Sequence, residues 1–118
     1  MNINEWLKLF KEGWVSHDVQ KVVLLFSEDV EYWETPHVLL QSYDRVKSEW
    51  EGIKKQTNIK IATELFLSSG NNHIVIWRLT YLNELGVEQK WAGTYLIRLN
   101  EQGKCNYFYH TGEKDSKS

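Results

Sequence analysis

The sequence predicts an α+β fold, in which three helices precede a run of antiparallel strands and cover one face of the resulting sheet. Two observations indicate this. Apolar residues recur at spacings of three and four in the first half of the chain, whereas long strand-forming runs fill the second half. The length of 118 residues is close to that of one domain, so we expect a single hydrophobic core.

Capping residues mark the expected start of each helix. The first helix follows Asn2, and its buried face is expected to consist of Trp6, Leu9, Phe10 and Trp14. Asp18 is the expected N-cap of a shorter second helix, with the apolar face Val19, Val22, Val23 and Phe26. Ser42 is expected to cap the third helix, whose inward stripe is Val46, Trp50 and Ile53.

The stretch DVEYWETPHV, Asp29 to Val38, predicts the first strand. Tyr32 and Trp33 favour β-structure, and Pro36 ends the run because it lacks a backbone N–H. We expect Trp33 to face inwards. Since successive side chains of a strand alternate between its two faces, Glu34 is then expected on the surface.

Turn signals separate four further strands. The expected strands are Ile59–Leu67, His73–Asn83, Val87–Leu99 and Lys104–Thr111, and Gly103 supplies the positive φ of the last turn. The remaining residues are small and charged and have little apolar surface to bury. We therefore expect one domain over residues 1–111 and a disordered tail over residues 112–118.

Composition argues against several classes of function. The net charge of −2 makes nucleic acid an improbable partner, and the N-terminal segment resembles neither a signal peptide nor a membrane span. The single cysteine, Cys105, excludes an intrachain disulfide and favours a reduced, cytoplasmic setting. No spacing of His, Cys, Asp or Glu matches a metal site, and no glycine-rich loop fits a cofactor phosphate, so we expect neither a metal nor a cofactor.

Two of the strands are bulky on both faces, through residues such as Ile74, Val75, Ile76 and Trp77. A sheet that is apolar on both faces must be covered on both sides. Helices cover one side, and we expect a second subunit on the other, which predicts a homodimer through the sheet. The alternative is that the long stems of Arg78, Lys90 and Arg98 cover that face instead.

Several segments together resemble a SnoaL-like domain of the nuclear transport factor 2-like superfamily. They are the spacing W-x3-F-x3-W-x3-D from Trp6 to Asp18, then LLFSEDVEYWETP, VKSEWEGI and GTYLIRLNEQGKCNYF, and the likeness extends to about Glu113. The resemblance implies a cone: a strongly bent antiparallel sheet wrapped around three N-terminal helices, as in cystatin-like α+β barrels, with a pocket inside. Dimers through the sheet are frequent in this superfamily.

The resemblance also assigns catalytic positions. Steroid isomerases of the superfamily carry a carboxylate base just before the proline that follows the first strand, a tyrosine on the first helix and an acid on a later strand. These positions fall on Thr35, Phe10 and Tyr95, of which only Tyr95 can donate a hydrogen bond. Threonine binds a proton too weakly to act as an unassisted base, which argues against steroid-type isomerisation. Glu34 takes the base position if one extra residue is absorbed as a bulge.

His110 is the sharpest catalytic candidate, with Tyr95 as a donor to a developing oxyanion. The family pattern places Phe108 and His110 in the pocket. Counting back through a type I turn with a glycine bulge instead places Tyr107 and Tyr109 on the side of Tyr95, and His110 on the other. Both alternatives stay open here.

Expected pocket residues combine aromatic rings with hydrogen-bonding groups. They are Trp33, Thr35, His37, Trp50, Trp91, Tyr95 and Phe108. We expect a domain that binds a hydrophobic or aromatic small molecule. One alternative is a polyketide cyclase-like or isomerase-like enzyme that uses His110 or His37 as base without a cofactor, and another is a dimeric assembly module.

Overall fold

The computed structural model describes residues 1–116, and in them it has three α-helices, one 3-10 helix and six strands. The helices are α1 (Ile3–Val15), α2 (Val19–Val23) and α3 (Tyr43–Trp50), which the 3-10 helix Glu51–Lys55 continues. The strands are β1 (Phe26–Thr35), β2 (Val38–Leu40), β3 (Thr57–Ser69), β4 (Asn72–Leu82), β5 (Glu88–Leu99) and β6 (Cys105–Lys114).

The three expected N-caps are confirmed. Asn2 accepts the N–H of Glu5, Asp18 that of Lys21 and Ser42 that of Arg45, at 2.9–3.2 Å. Each bond satisfies a donor that the first helical turn leaves without a partner. One boundary was wrong: Phe26, expected on the second helix, is the buried first residue of β1.

All six strands form one sheet in the order β2-β1-β6-β5-β4-β3. The sheet is mixed, since β1 and β6 run parallel while every other pair is antiparallel. A wholly antiparallel sheet was expected. The parallel pair arises because β6, at the end of the β3–β6 meander, docks alongside β1 in the same direction. The strand β2 was missed because three residues between a turn and a helix cap are too few to show a period.

The last strand continues beyond the expected domain boundary. Gly112, Glu113 and Lys114 pair with Gly93, Ala92 and Trp91 of β5. The predicted start of the disordered tail at residue 112 was therefore too early. Backbone hydrogen bonds to β5 order these residues, although their side chains bury little surface. Residues 117–118 of that tail lie outside the described part of the chain.

Aromatic rings fill the space between the helices and the curled sheet. Phe10 of α1 lies at the centre, with its ring centroid 5.0 Å from Trp6, 5.3 Å from Trp50 and 5.7 Å from Tyr95. Each such pair adds about 0.5–1.5 kcal/mol to the energy of area burial. Phe10, which the resemblance aligns with the tyrosine of the isomerases, is therefore a fully buried ring that packs the core.

Candidate functional site

A cavity of about 270 Å³ lies between the α3/3-10 segment and the inner faces of β1, β5 and β6. Five aromatic rings and a smaller number of polar groups surround it. Its lining consists of Trp14, Tyr32, Glu34, Glu49, Trp50, Gly52, Ile53, Gln56, Tyr95, Phe108 and His110. This mixture of apolar walls and few polar groups is typical of small-molecule sites, although the volume suits a small ligand.

Irregular pairing of β1 decides which of its side chains reach the cavity. Between Phe26 and Glu31 the register with β6 shifts, and a second shift relative to β2 falls between Trp33 and Thr35. Tyr32 and Glu34 consequently face the cavity. The expectation for Trp33 was therefore wrong, because side chains alternate along a strand and both neighbouring positions that face the cavity, Tyr32 and Glu34, lie on the opposite face from Trp33.

The displaced residues of this segment have local partners on the outside. The Trp33 indole donates to Glu31 at 2.8 Å, and the exposed Thr35 hydroxyl accepts the backbone N–H of His37. His37 is itself exposed. Neither Thr35 nor His37 lines the cavity, so the expectation that they form part of its wall was wrong.

A bulge in β6 places His110 inside. Leu99 pairs with Cys105 and Arg98 with Tyr107, which leaves Asn106 as the extra residue. Beyond the bulge Tyr95 lies directly opposite His110, and both line the cavity together with Phe108. His110 and Phe108 thus face the cavity, as the family resemblance implies. The alternative, which was counted through the turn and placed His110 on the other face, was wrong because it omitted this bulge.

His110 is held on three sides. Its Nδ1 donates to the backbone carbonyl of Glu34 at 2.6 Å, since a carbonyl can only accept. Its ring stacks on Trp77 at 5.3 Å and lies 5.8 Å from Tyr95. Burial lowers the pKa of His110, and the bond to the Glu34 carbonyl partly offsets this. The side chain is therefore neutral at pH 7, with Nε2 free of a proton.

Glu34 has the most perturbed carboxyl group of the cavity. Burial raises its pKa from 4.5 to about 7, the negative charge of Glu49 adds to the rise, and the Tyr32 hydroxyl opposes it. The carboxyl is half-buried, whereas Glu49 is exposed at the cavity mouth. A carboxylate with this pKa can both accept and return a proton near neutral pH. The sequence contained one signal for it, which is that Glu34 shares a strand face with the apolar Tyr32.

Two tyrosine hydroxyls lie on the same wall. Burial raises the pKa of both Tyr32 and Tyr95 well above the ordinary value, and the charge of Glu34 acts in the same direction. Both groups consequently remain protonated and can donate to a ligand oxygen. Trp50 and Phe108 also line the cavity, as the sequence predicts. The sequence did not predict three other lining residues, because they come from separate parts of the chain that only the fold brings together: Trp14, Glu49 and Gln56.

Trp91 lies elsewhere. It faces the same side of the sheet as Tyr95 but farther along β5, where it borders a depression of about 480 Å³ at the end of β4, β5 and β6. That depression is larger than the cavity, yet charged residues such as Lys90, Glu113 and Lys114 surround it. It lacks the enclosed aromatic walls of the cavity, so Trp91 is corrected from cavity wall to rim of this polar depression.

Two structural findings concern other classes of site. Within residues 1–116, no three side chains of His, Cys, Asp or Glu come together in a way that could hold a metal ion. No helix in the same range has the length and apolar character needed to cross a membrane.

Comparison with solved structures identifies the fold. A Δ5-3-ketosteroid isomerase from Mycobacterium sp. superimposes with a TM-score of 0.78 at 12% identity, over 96% of this chain and 98% of the isomerase. An NTF2-like protein of unknown function from Exiguobacterium sp. 255-15 gives 0.74 at 18% identity, over 98% and 99%. The chain has the nuclear transport factor 2-like fold.

Another protein with this fold has been solved with a bound ligand. RV0760c from Mycobacterium tuberculosis, in complex with estradiol-17β-hemisuccinate, gives a TM-score of 0.76 at 15% identity over 95% of this chain and 92% of that one. No protein-family model and no curated protein matches the sequence. The predicted NTF2-like fold is thus confirmed by structure, while the SnoaL-like assignment within it stays a prediction.

Proposed function

We propose that this protein is an enzyme that transfers a proton at a carbon atom next to a carbonyl group, in a small hydrophobic substrate bound in the cavity. One observation carries the proposal: the Glu34 carboxyl group faces an aromatic cavity beside the Tyr95 hydroxyl. This is the arrangement that enolate chemistry needs, with a base for the C–H bond and a donor for the oxygen.

The reaction follows from these groups. The Glu34 carboxylate takes the α-proton, the electrons of the broken C–H bond form the enolate C=C bond, and the carbonyl electrons move to the oxygen. Tyr95 stabilises that oxygen by hydrogen bonding. In a substrate with a β,γ double bond the enolate is a dienolate, and protonated Glu34 returns the proton to its γ-carbon, which is an isomerisation. Alternatively, the enolate carbon attacks a second carbonyl carbon of the substrate, whose π electrons move to its oxygen, and that oxygen takes the proton from Glu34, which is a cyclisation.

The fold supports this assignment through position. By resemblance, Glu34 stands two residues before Pro36 and takes the base position once the irregularity of β1 is included. Steroid-isomerase chemistry with its full residue set is not proposed, because Phe10 fills the position of the helix tyrosine. We propose His110 as a positioning group, since its Nδ1 proton is committed to the Glu34 carbonyl.

The test measures deuterium exchange at the α-carbon of small aryl ketones such as 2-indanone, by NMR in D2O. We expect catalysed exchange, and we expect Glu34→Gln to reduce it by about 10²–10⁴-fold, the usual contribution of a general base. Glu31→Gln removes a carboxylate of the same strand outside the cavity and serves as control. Exchange that survives Glu34→Gln unchanged would refute the proposal.

A second candidate function is binding without turnover. The aromatic majority of the lining favours it, and RV0760c is a protein of this fold that holds a steroid ester in its crystals. In that case, small aryl ketones bind with equal affinity to the natural protein and to Glu34→Gln, and neither exchanges deuterium.

We also propose that the protein is a homodimer through the outer face of the sheet. A row of apolar residues crosses all six strands in register, which we call the outer row: Leu39, Trp33, Tyr109, Leu96, Ile74 and Leu67. Leu67 is 57% exposed and Leu96 37% exposed. Arg98 lies over the neighbouring Tyr107 ring at 5.1 Å and donates to the side chain of Asn72 at 3.1 Å. The other four residues of the row are half-buried, and a continuous apolar row that is partly open to solvent is typical of an interface between subunits.

A further inference from the structure

The charges of the cavity lining are not balanced. Glu34 and Glu49 contribute two carboxyl groups, and no lysine or arginine of the described residues lines the cavity. His110 adds no positive charge at pH 7, since burial lowers its pKa. Above pH 7 the lining therefore carries negative charge without a cation of its own.

Neither carboxyl group is paired with a cation elsewhere in the protein. Within residues 1–116, Glu34 and Glu49 form no ion pair. Glu51, two residues after Glu49, differs because it pairs with Lys54 at 2.7 Å and lies outside the lining. Burial raises the pKa of Glu34, and the negative charge of Glu49 raises it further. Two carboxylates that repel each other at one cavity are both stabilised by a cation bound beside them.

The aromatic walls also suit a cation. Trp14 and Trp50 stand at 89° to each other with their centroids 4.9 Å apart, as adjacent walls of an aromatic cage do. The remaining rings of the lining are Tyr32, Tyr95 and Phe108. The face of an aromatic ring attracts a cation within about 6 Å of its centroid, and Trp does so most strongly. Rings and unpaired carboxylates together are complementary to an organic ammonium ion.

One polar atom inside the cavity has no partner. The Tyr95 side chain is 2% exposed, and its hydroxyl makes no hydrogen bond with any of the described residues. The indole N–H of Trp50 is shielded, whereas the Tyr95 oxygen keeps accessible surface on the cavity. Since most buried polar groups are paired, a free hydroxyl at this place indicates an occupant that the protein alone does not supply.

Desolvation decides where a charged ligand places its nitrogen. Burying a charge away from water is costly, so the nitrogen belongs at the mouth, where Glu49 is exposed. The volume of about 270 Å³ behind the mouth suits a single ring. Such a ligand keeps part of the hydration of its ammonium group while its apolar part enters the aromatic interior.

We propose that the cavity binds a small organic cation, an amine with one aromatic ring, and that Glu49 holds its protonated nitrogen at the mouth. The inference goes beyond the proposed function, because it concerns binding whether or not Glu34 transfers a proton. Where both hold, the substrate is an amino ketone, with its amine bound by Glu49 and its α-proton taken by Glu34.

Three ligands of similar size test the proposal: benzylamine, benzyl alcohol and benzoate. At pH 8 they are a cation, an uncharged molecule and an anion on the same ring. In NMR titrations we expect benzylamine to bind about five- to thirtyfold more tightly than benzyl alcohol, the combined effect of cation–π attraction and one partly exposed ion pair. Benzoate is expected to bind more weakly than either.

Variants and salt then locate the charge. Glu49→Gln is expected to weaken benzylamine binding about two- to fivefold and to leave benzyl alcohol binding unchanged. Glu51→Gln removes the same charge two residues away, outside the lining, and is expected to keep the full preference for benzylamine. In the natural protein, about 0.5 M NaCl is expected to weaken the binding of benzylamine but not that of benzyl alcohol. That measurement needs no variant.

The possible outcomes separate this inference from the proposed function. Equal affinities for benzylamine and benzyl alcohol, or equal effects of Glu49→Gln and Glu51→Gln, would overturn the cation site. Benzoate binding as tight as that of benzylamine would overturn it as well. A preference for benzylamine that depends on Glu49, together with deuterium exchange unaffected by Glu34→Gln, would support the cation site and refute the proposed catalysis. Exchange lost in Glu34→Gln without any preference for benzylamine would do the reverse.

Discussion

The imidazole of His110 donates from Nδ1 to the backbone carbonyl of Glu34 at 2.6 Å, and this bond ties the last strand to the first at the cavity wall. It fixes the tautomer of His110 and satisfies a carbonyl in the irregular part of β1. The side chain of Glu34 is thereby held towards the cavity.

The first prediction tests this positioning role. His110→Ala leaves the Glu34 carbonyl without its donor, and we expect it to lower the free energy of unfolding by about 1–3 kcal/mol and to slow α-proton exchange. His110→Asn can donate an N–H from a similar place and is expected to recover most of both losses. If His110→Asn folds as well as the natural protein but is as inactive as His110→Ala, Nε2 takes part in the proton transfer and the positioning role is wrong.

A second prediction concerns the pH dependence of exchange. Glu34 must be ionised to act as base, so kcat/KM is expected to rise with pH and to reach half its maximum near 7, the value to which burial and Glu49 raise its pKa. Glu49→Gln removes the repulsion from that charge and is expected to move the midpoint downwards. Glu51→Gln, on the exposed 3-10 helix, is the control. A midpoint that stays in place after Glu49→Gln would contradict the coupling of the two carboxyl groups.

A third prediction concerns stability. Because the folded-state pKa of Glu34 is raised above 4.5 to about 7, its protonated form stabilises the fold at low pH, and this contribution disappears as the pH rises through 7. The shift corresponds to at most about 3 kcal/mol, and partial exposure reduces it to about 1–2 kcal/mol. Urea unfolding is therefore expected to find Glu34→Gln more stable than the natural protein at pH 8, with the difference vanishing towards pH 4.5. A difference that is the same at both pH values would contradict burial of an ionisable carboxyl group.

A fourth prediction concerns two glycines that face each other in neighbouring strands. Gly93 and Gly112 pair across β5 and β6, and a Cβ at Gly93 would overlap the carbonyl oxygen of Thr111. Gly93→Ala is expected to lower the free energy of unfolding by more than about 2 kcal/mol, because backbone must move. Gly52→Ala has nothing within 4 Å of the new methyl group and is expected to be neutral or slightly stabilising. Equal stability of the two variants in urea unfolding would show that the strands yield without strain.

A fifth prediction addresses the dimer. Leu96 is in the middle of the outer row, so Leu96→Asp is expected to convert a dimer into a monomer in sedimentation equilibrium at micromolar concentration. Leu85→Asp makes the same change at a turn residue that is 87% exposed and is expected to keep the dimer. A monomeric natural protein would refute the proposed interface.

Local sequence rules were sufficient to predict where the helices begin. Asn2, Asp18 and Ser42 cap them as the sequence predicts, because a cap depends on one side chain and a backbone N–H three residues away. The same holds for Gly103, whose φ of 76° is the positive value that the last turn requires. The aromatic character of the interior and the NTF2-like architecture were also predictable, since they depend on the order of elements along the whole chain.

Only the tertiary structure decided which side of the sheet the side chains of Glu34, Trp33 and His110 lie on. His110 depends on the extra residue Asn106 of β6, whereas Glu34 and Trp33 depend on how β1 pairs with its two neighbouring strands. One inserted residue reverses every later side chain, and the sequence alone does not show where a strand absorbs it, because that depends on which neighbouring strand it pairs with. The sequence by itself therefore determined that the chain builds an aromatic interior under a sheet. The pairing of β1 with β6 decided that the carboxyl group of Glu34, rather than the indole of Trp33, faces that interior.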